Sequence, residues 1–268
     1  MRRRPIAWIV PALALSLMGT AAAARLVRAH GVAGDEPGNP TSGVKYDGKF
    51  VFVRLRYDMP HLPKGLFVGS EVQSIPWSHD LPDAERNLMK ILEAVTFIDP
   101  YMGPEGGKIL SLYDPELFKF PIAYMSEPGF WVPDEGEVAG LRSYLLKGGF
   151  LIFDDFRESH WYNLEAQMQR VLPEGRWVEL DARHPIFNAF FEIADPGAFT
   201  QMYDPERGAV FHGIFEDNDP GKRLMVVANY NNDIGEYWQY SNTGWVPIDL
   251  SNEAYKFGVN YMIYGMTH

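Results

Sequence analysis

The sequence predicts an α/β fold in three layers: a mostly parallel open sheet with helices on both faces and an antiparallel edge hairpin. Three observations carry this. Strand-like and helix-like segments alternate through residues 50–268. Phe150-Leu151-Ile152-Phe153 follows Gly148-Gly149 without polar alternation, the pattern of a strand buried on both faces. Asp-Asn-Asp-Pro-Gly at 217–221 separates two apolar runs and reads as a hairpin turn.

Phe50–Tyr57 is rich in β-branched and aromatic residues and reads as the first strand. A helix is expected next, capped by Asp80, with Pro82 in its first turn and an end near Asp99-Pro100. Leu81, Ala84, Leu88, Leu92 and Val95 give its apolar spacing. Ile109–Leu112 and Ile122–Met125 are short strands. Asp134 and Glu137 have capping-box spacing before a helix with Val138, Leu141, Tyr144 and Leu145 on one face, and Gly148-Gly149 supplies its left-handed end. The buried strand then runs into Asp154-Asp155. Trp161, Leu164, Met168 and Val171 recur at helical spacing before Pro173. Val210–Phe215 and Leu224–Ala228 flank the hairpin turn, and Ser251 can cap a last helix reaching Tyr264.

The 268 residues include 24 basic and 35 acidic side chains, a net charge of −11, and no cysteine. This excludes a disulfide scaffold, a cysteine nucleophile and a thiolate metal site. The acidic balance argues against a nucleic-acid partner. With 46% apolar and 14% aromatic residues, the chain has a globular composition. Residues 1–24 combine Arg2-Arg3-Arg4, an apolar run broken by Pro11, and an alanine-rich end. They are expected to be a signal peptide cleaved near Ala22–Ala24, sending the chain to the periplasm or the extracellular space; retention as an amino-terminal anchor is the alternative. Residues 25–49 read as a flexible lead-in and 50–268 as a single domain. No later segment is long and apolar enough to cross a membrane.

Leu141-Arg142-x-Tyr144-Leu145-x-x-Gly148-Gly149-Phe150-Leu151-x-x-Asp154-Asp155, then His184-Pro185-Ile186-Phe187 and Gly258-Val259-Asn260-x-x-x-Tyr264, resemble the domain of unknown function 4159. The resemblance covers roughly residues 50–266. It implies a three-layer fold similar to class I glutamine amidotransferases and flavodoxin, in a bacterial family that often ends membrane-associated proteins. It supplies no mechanism. The amidotransferase triad needs a cysteine that this chain lacks, so that activity does not carry over.

Ligands of open parallel sheets bind at the strand carboxyl ends. Tyr57-Asp58, Ser126-Glu127, Asp154 to Trp161 and Asn229 to Asp233 are expected there. Asp154, Asp155 and His160 offer oxygen and nitrogen donors to a divalent cation, or a base and its partner, with Glu127 as a further acid. Adjacent strand residues point to opposite sides, so one of Asp154 and Asp155 should face the cleft. The alternative is that the pair only bonds loop amides, or is held by Arg157. Asp58, Trp77, Arg157, Trp161, Asn229 and Asp233 are candidate ligand contacts. His79, beside Trp77, is either an anion contact at a helix start or a capping-region residue. His184 reads as a turn histidine and His212 as a core or edge one. Neither a phosphate loop nor a nucleophile elbow is present. The expected function is therefore a non-catalytic ligand-binding or interaction domain. The alternatives are a metal-assisted hydrolase and a structural partner in a cell-envelope complex, with a small molecule, glycan or envelope protein as the ligand.

Overall fold

A computed structural model describes residues 44–58, 75–202 and 204–268. The expected signal segment and residues 25–43 of the lead-in lie outside the described residues. Seven strands form one sheet in the order β2-β1-β3-β4-β7-β6-β5. They are β1 (Val53–Arg56), β2 (Lys108–Ser111), β3 (Ile122–Ser126), β4 (Phe150–Phe156), β5 (Trp177–Glu179), β6 (Val210–Phe215) and β7 (Leu224–Tyr230). The first four and β7 run parallel, whereas β6 is antiparallel to both its neighbours, β7 and β5. The α/β class, the mostly parallel sheet and the antiparallel edge are as the sequence predicts.

The helices are α1 (Asp83–Val95), α2 (Glu135–Leu146), α3 (His160–Val171), α4 (Ile234–Gln239) and α5 (Ile248–Thr267). Two cores separate the layers. Leu88, Leu92, Trp238, Phe257 and Tyr261, from α1, α4 and α5, pack on Tyr124, Ile152 and Val227 of the sheet. Leu141, Leu145, Leu164 and Met168, from α2 and α3, pack on Leu55, Met125, Leu151 and Phe153 of the opposite face. Alternation along β4 assigns its side chains to the two cores, and its burial on both sides explains the unbroken apolar run.

Some elements match expectation in detail and others differ. Asp134 accepts from the Gly136 and Glu137 amides and Glu137 returns the bond, so the capping box forms. Asp80 does not cap α1. That helix begins at Asp83 with Pro82 before it, and ends at Val95, where the Thr96 hydroxyl bonds the Leu92 carbonyl. Ser251 lies inside α5 and bonds the Pro247 carbonyl instead of starting the helix. β4 runs on through Asp154-Asp155 to Phe156. Strand β5 and helix α4 were not expected; three and six residues are too few to show a periodic pattern.

Candidate metal centre

The carboxyl edge begins with an irregularity in β4. Phe153 pairs with Ala228 and Phe156 with Tyr230, so Asp154 and Asp155 together oppose the single residue Asn229. This is a β-bulge, and Asp155 takes the left-handed conformation (φ 56°) that absorbs the extra residue. Phe153 and Phe156 consequently face the same core. The two acids do not point to opposite sides of the sheet. Both serve the α4 side, Asp154 beneath and Asp155 at the surface.

Asp154 is completely buried. Its carboxylate accepts from Tyr124 Oη (2.8 Å), Asn229 Nδ2 (2.9 Å), and the Ile234 (3.3 Å) and Gly235 (2.9 Å) amides. Burial pushes its pKa up, against the pull of the Asn229 and Tyr124 bonds. It is the brace that joins β3, β4, β7 and the start of α4. Asn229, 1% exposed, belongs to the same brace and accepts from Tyr261 Oη (2.8 Å).

Asp155 instead lines a cavity of ≈ 260 Å³ with His79, Glu127, Phe156, Arg157, His160, Gln201, Asp233 and Glu236. His79 Nδ1 lies 2.7 Å from Asp155 Oδ2, and that hydrogen bond raises the His79 pKa to about 9. Asp80 lies beneath, 1% exposed, with neither carboxylate oxygen hydrogen-bonded. Asp233 caps α4 by accepting from the Glu236 amide (3.0 Å) and is itself buried. His79, Asp80, Asp155 and Asp233 each offer one donor atom, and these four atoms all lie within 4.8 Å of one another. Burial drives the pKa of Asp80 far upward, opposed by His79 and reinforced by Asp155. Burial does the same to Asp233, reinforced by Asp155 and Asp80. Glu127 and Glu236 reach about 7, chiefly through burial and then through repulsion by Asp155.

Donor atoms opposite one another around a divalent cation stand ~4–5 Å apart, since metal–oxygen bonds are about 2.0–2.6 Å. Three carboxylates and one imidazole within 4.8 Å therefore fit one coordination shell. The mixed oxygen and nitrogen set suits Mn²⁺, Mg²⁺ or Zn²⁺. Gly235 is needed for the approach of these groups, because a Cβ there would stand 2.7 Å from Asp80 Oδ2 and 2.8 Å from Tyr124 Oη.

The backbone is strained at the same edge. Asp80 (φ 67°), Glu127 (47°), Asp155 (56°), Glu158 (52°) and Asn231 (60°) adopt left-handed conformations there, while Asp217 and Asn218 form the β6–β7 turn. Each costs on the order of 1 kcal/mol. Two of these five, Glu127 and Asp155, line the cavity, and Asp80 lies beneath it among the four donors.

Of the candidates, Asp155, Glu127, His160, Arg157 and Asp233 line the cavity. Asp154 and Asn229 lie behind it as a brace. The His160 ring packs edge-on to Phe130, and its buried Nδ1 has no hydrogen-bond partner. Asp58 is exposed and outside the cavity wall. Trp77 lies outside the cavity wall, packing against the core that holds Leu55 and giving its carbonyl to Arg54, and Trp161 packs in an aromatic cluster with Trp177, His212 and Tyr230. Tyr57 acts indirectly, donating to the Ser126 and Glu127 carbonyls. Sequence reasoning missed Asp80 as a site acid, as well as Gln201 and Glu236.

Fold and site together define an α/β domain with an acidic pocket at the carboxyl edge of a mostly parallel sheet. Among the described residues no helix is long and apolar enough to cross a membrane. The chain belongs to the family described as Domain of unknown function (DUF4159), whose model matches residues 52–266. A comparison with curated proteins found no match.

Proposed function

We propose that the domain binds a divalent cation through His79, Asp80, Asp155 and Asp233, and uses the loaded pocket to hold a small polar ligand. The observation that carries this is Asp80: a carboxylate 1% exposed, with both oxygens unpaired, set among three other donors. A buried, unpaired charge is expensive, and a divalent cation supplies the missing partner. The reading of residues 1–24 as an export signal supports a periplasmic or extracellular site of action.

Thermal unfolding with and without Mn²⁺, Mg²⁺, Ca²⁺ or Zn²⁺, after chelator treatment, tests the proposal. Cation at a hundredfold excess over its Kd stabilises the fold by about 2.7 kcal/mol. At least one cation should raise the Tm of the wild type, and Asp80→Asn should abolish the shift. A wild-type Tm unmoved by all four cations overturns the proposal.

A second reading, metal-assisted hydrolysis, is favoured by Glu127 and Glu236, two carboxyl groups lining the same cavity as the cation ligands. One would take the proton of the attacking water and the other would protonate the leaving group. Turnover of ester or amide substrates that Glu127→Gln loses, while keeping its cation response, would select this reading.

A further inference from the structure

Arg54 is an unusual residue for the middle of a strand. It lies on β1, between β2 and β3, and is 1% exposed on the face that carries the α1, α4 and α5 core. Burying a guanidinium is costly unless its donors are used. Nε donates to Glu85 Oε1 of α1 at 2.5 Å. Nη1 donates to two carbonyls, those of Trp77 (3.2 Å) and His79 (2.7 Å). Its Cζ stands 4.8 Å from the centre of the Tyr124 ring, and the hydroxyl of that ring holds Asp154. Its charge also acts on Asp80 through space.

Both carbonyls belong to the segment that presents His79 and Asp80, and Asp80 is there in a left-handed conformation. The planar fork of an arginine can grip a carboxylate on one side and two carbonyls on the other; the single ammonium of a lysine cannot reproduce that spread. We infer that Arg54, anchored by Glu85, is a positioning residue for the cation site: it holds the Trp77–Asp80 backbone so that His79 and Asp80 face Asp155 and Asp233. This rests on the cation reading above. The buried charge that the fold tolerates on β1 thus has a use at the carboxyl edge.

The test measures the Mn²⁺ dissociation constant by calorimetry, and Tm alongside it, for wild type, Arg54→Lys and Arg142→Lys. Arg142 serves as the comparison because it also braces backbone, donating to the Val171 and Arg170 carbonyls, but lies away from the pocket. Loss of an outer partner of a metal ligand costs about 10–100-fold in affinity. Arg54→Lys should weaken Mn²⁺ binding by at least about tenfold, while Arg142→Lys lowers Tm and keeps the wild-type constant. Wild-type affinity in Arg54→Lys overturns the inference and leaves the cation site standing. A wild type that binds no cation removes both. If Arg54→Lys does not fold, Glu85→Leu replaces it: the acceptor that anchors Nε is lost while the arginine stays, and an unchanged Mn²⁺ constant in that variant overturns the inference.

Discussion

The two edges of the sheet are finished in opposite ways. At the amino edge, polar groups are paired. Arg223 donates to the Gly149 (2.9 Å) and Leu145 (2.8 Å) carbonyls, Tyr144 Oη donates to the Phe120 carbonyl, and Tyr264 Oη accepts from the Leu224 amide. At the carboxyl edge, Asp80 has unpaired oxygens, carboxylates crowd one another, and five non-glycine residues adopt left-handed backbone. One edge spends its polar groups on holding the chain together. The other is braced by Asp154, yet it leaves Asp80 unpaired and gathers Glu127, Asp155 and Glu236 around a cavity at the expense of stability, as binding sites do.

The contrast is sharpest between neighbours. Asp154→Ala should cost about 3–5 kcal/mol in urea unfolding, because it strands four buried donors. Asp155→Ala should stay within about 1 kcal/mol of wild type and lose the cation response. Equal destabilisation by both would erase the distinction between brace and ligand. At the amino edge, Arg223→Met should cost about 2–3 kcal/mol, because it removes a charged donor from two carbonyls, and should leave the cation-induced shift intact. A diminished shift would mean that the two edges are coupled. Asp80→Asn should act in the opposite direction, raising the stability of chelator-treated protein by about 1 kcal/mol, since an amide is cheaper to bury than a carboxylate. A less stable Asp80→Asn would show that the carboxylate is compensated in the free protein.

The smallest effect is a pH dependence at the amino edge. His184 packs against Phe215 and Tyr264, and burial pushes its pKa down to about 4. The unfolded chain takes up this proton near pH 6.5. Between those values the unfolded state binds more protons, so the contribution of His184 is full above about pH 6.5 and declines as pH falls towards 4. His184→Asn, which keeps a short acceptor for the Ile186 amide, should stabilise the protein at pH 5 relative to its own effect at pH 8. An equal effect at both pH values would contradict the shift.

Much of this was legible in the chain. The unbroken run at 150–153 identified the central strand, and Asp154-Asp155 marked the right edge. The bulge was not legible, because it depends on how many residues β7 sets opposite those two acids. Asp80 was misread for a different reason. Asp-Leu-Pro-Asp is as good a helix start as any, and only the folded chain shows that Asp83 begins the helix while Asp80 turns inward. Glu236 was hidden in a helix too short to announce itself. Arg54 sat in an alternating stretch where a charged residue normally faces water.

The extra residue in β4 makes the site sensitive to chain length as well as to chemistry. Removing one residue between Phe153 and Phe156 would restore an even ladder with β7 and leave a single acid there, in the bracing position of Asp154. A one-codon change in length would thus take Asp155 out of the donor set while every other side chain of the edge is retained.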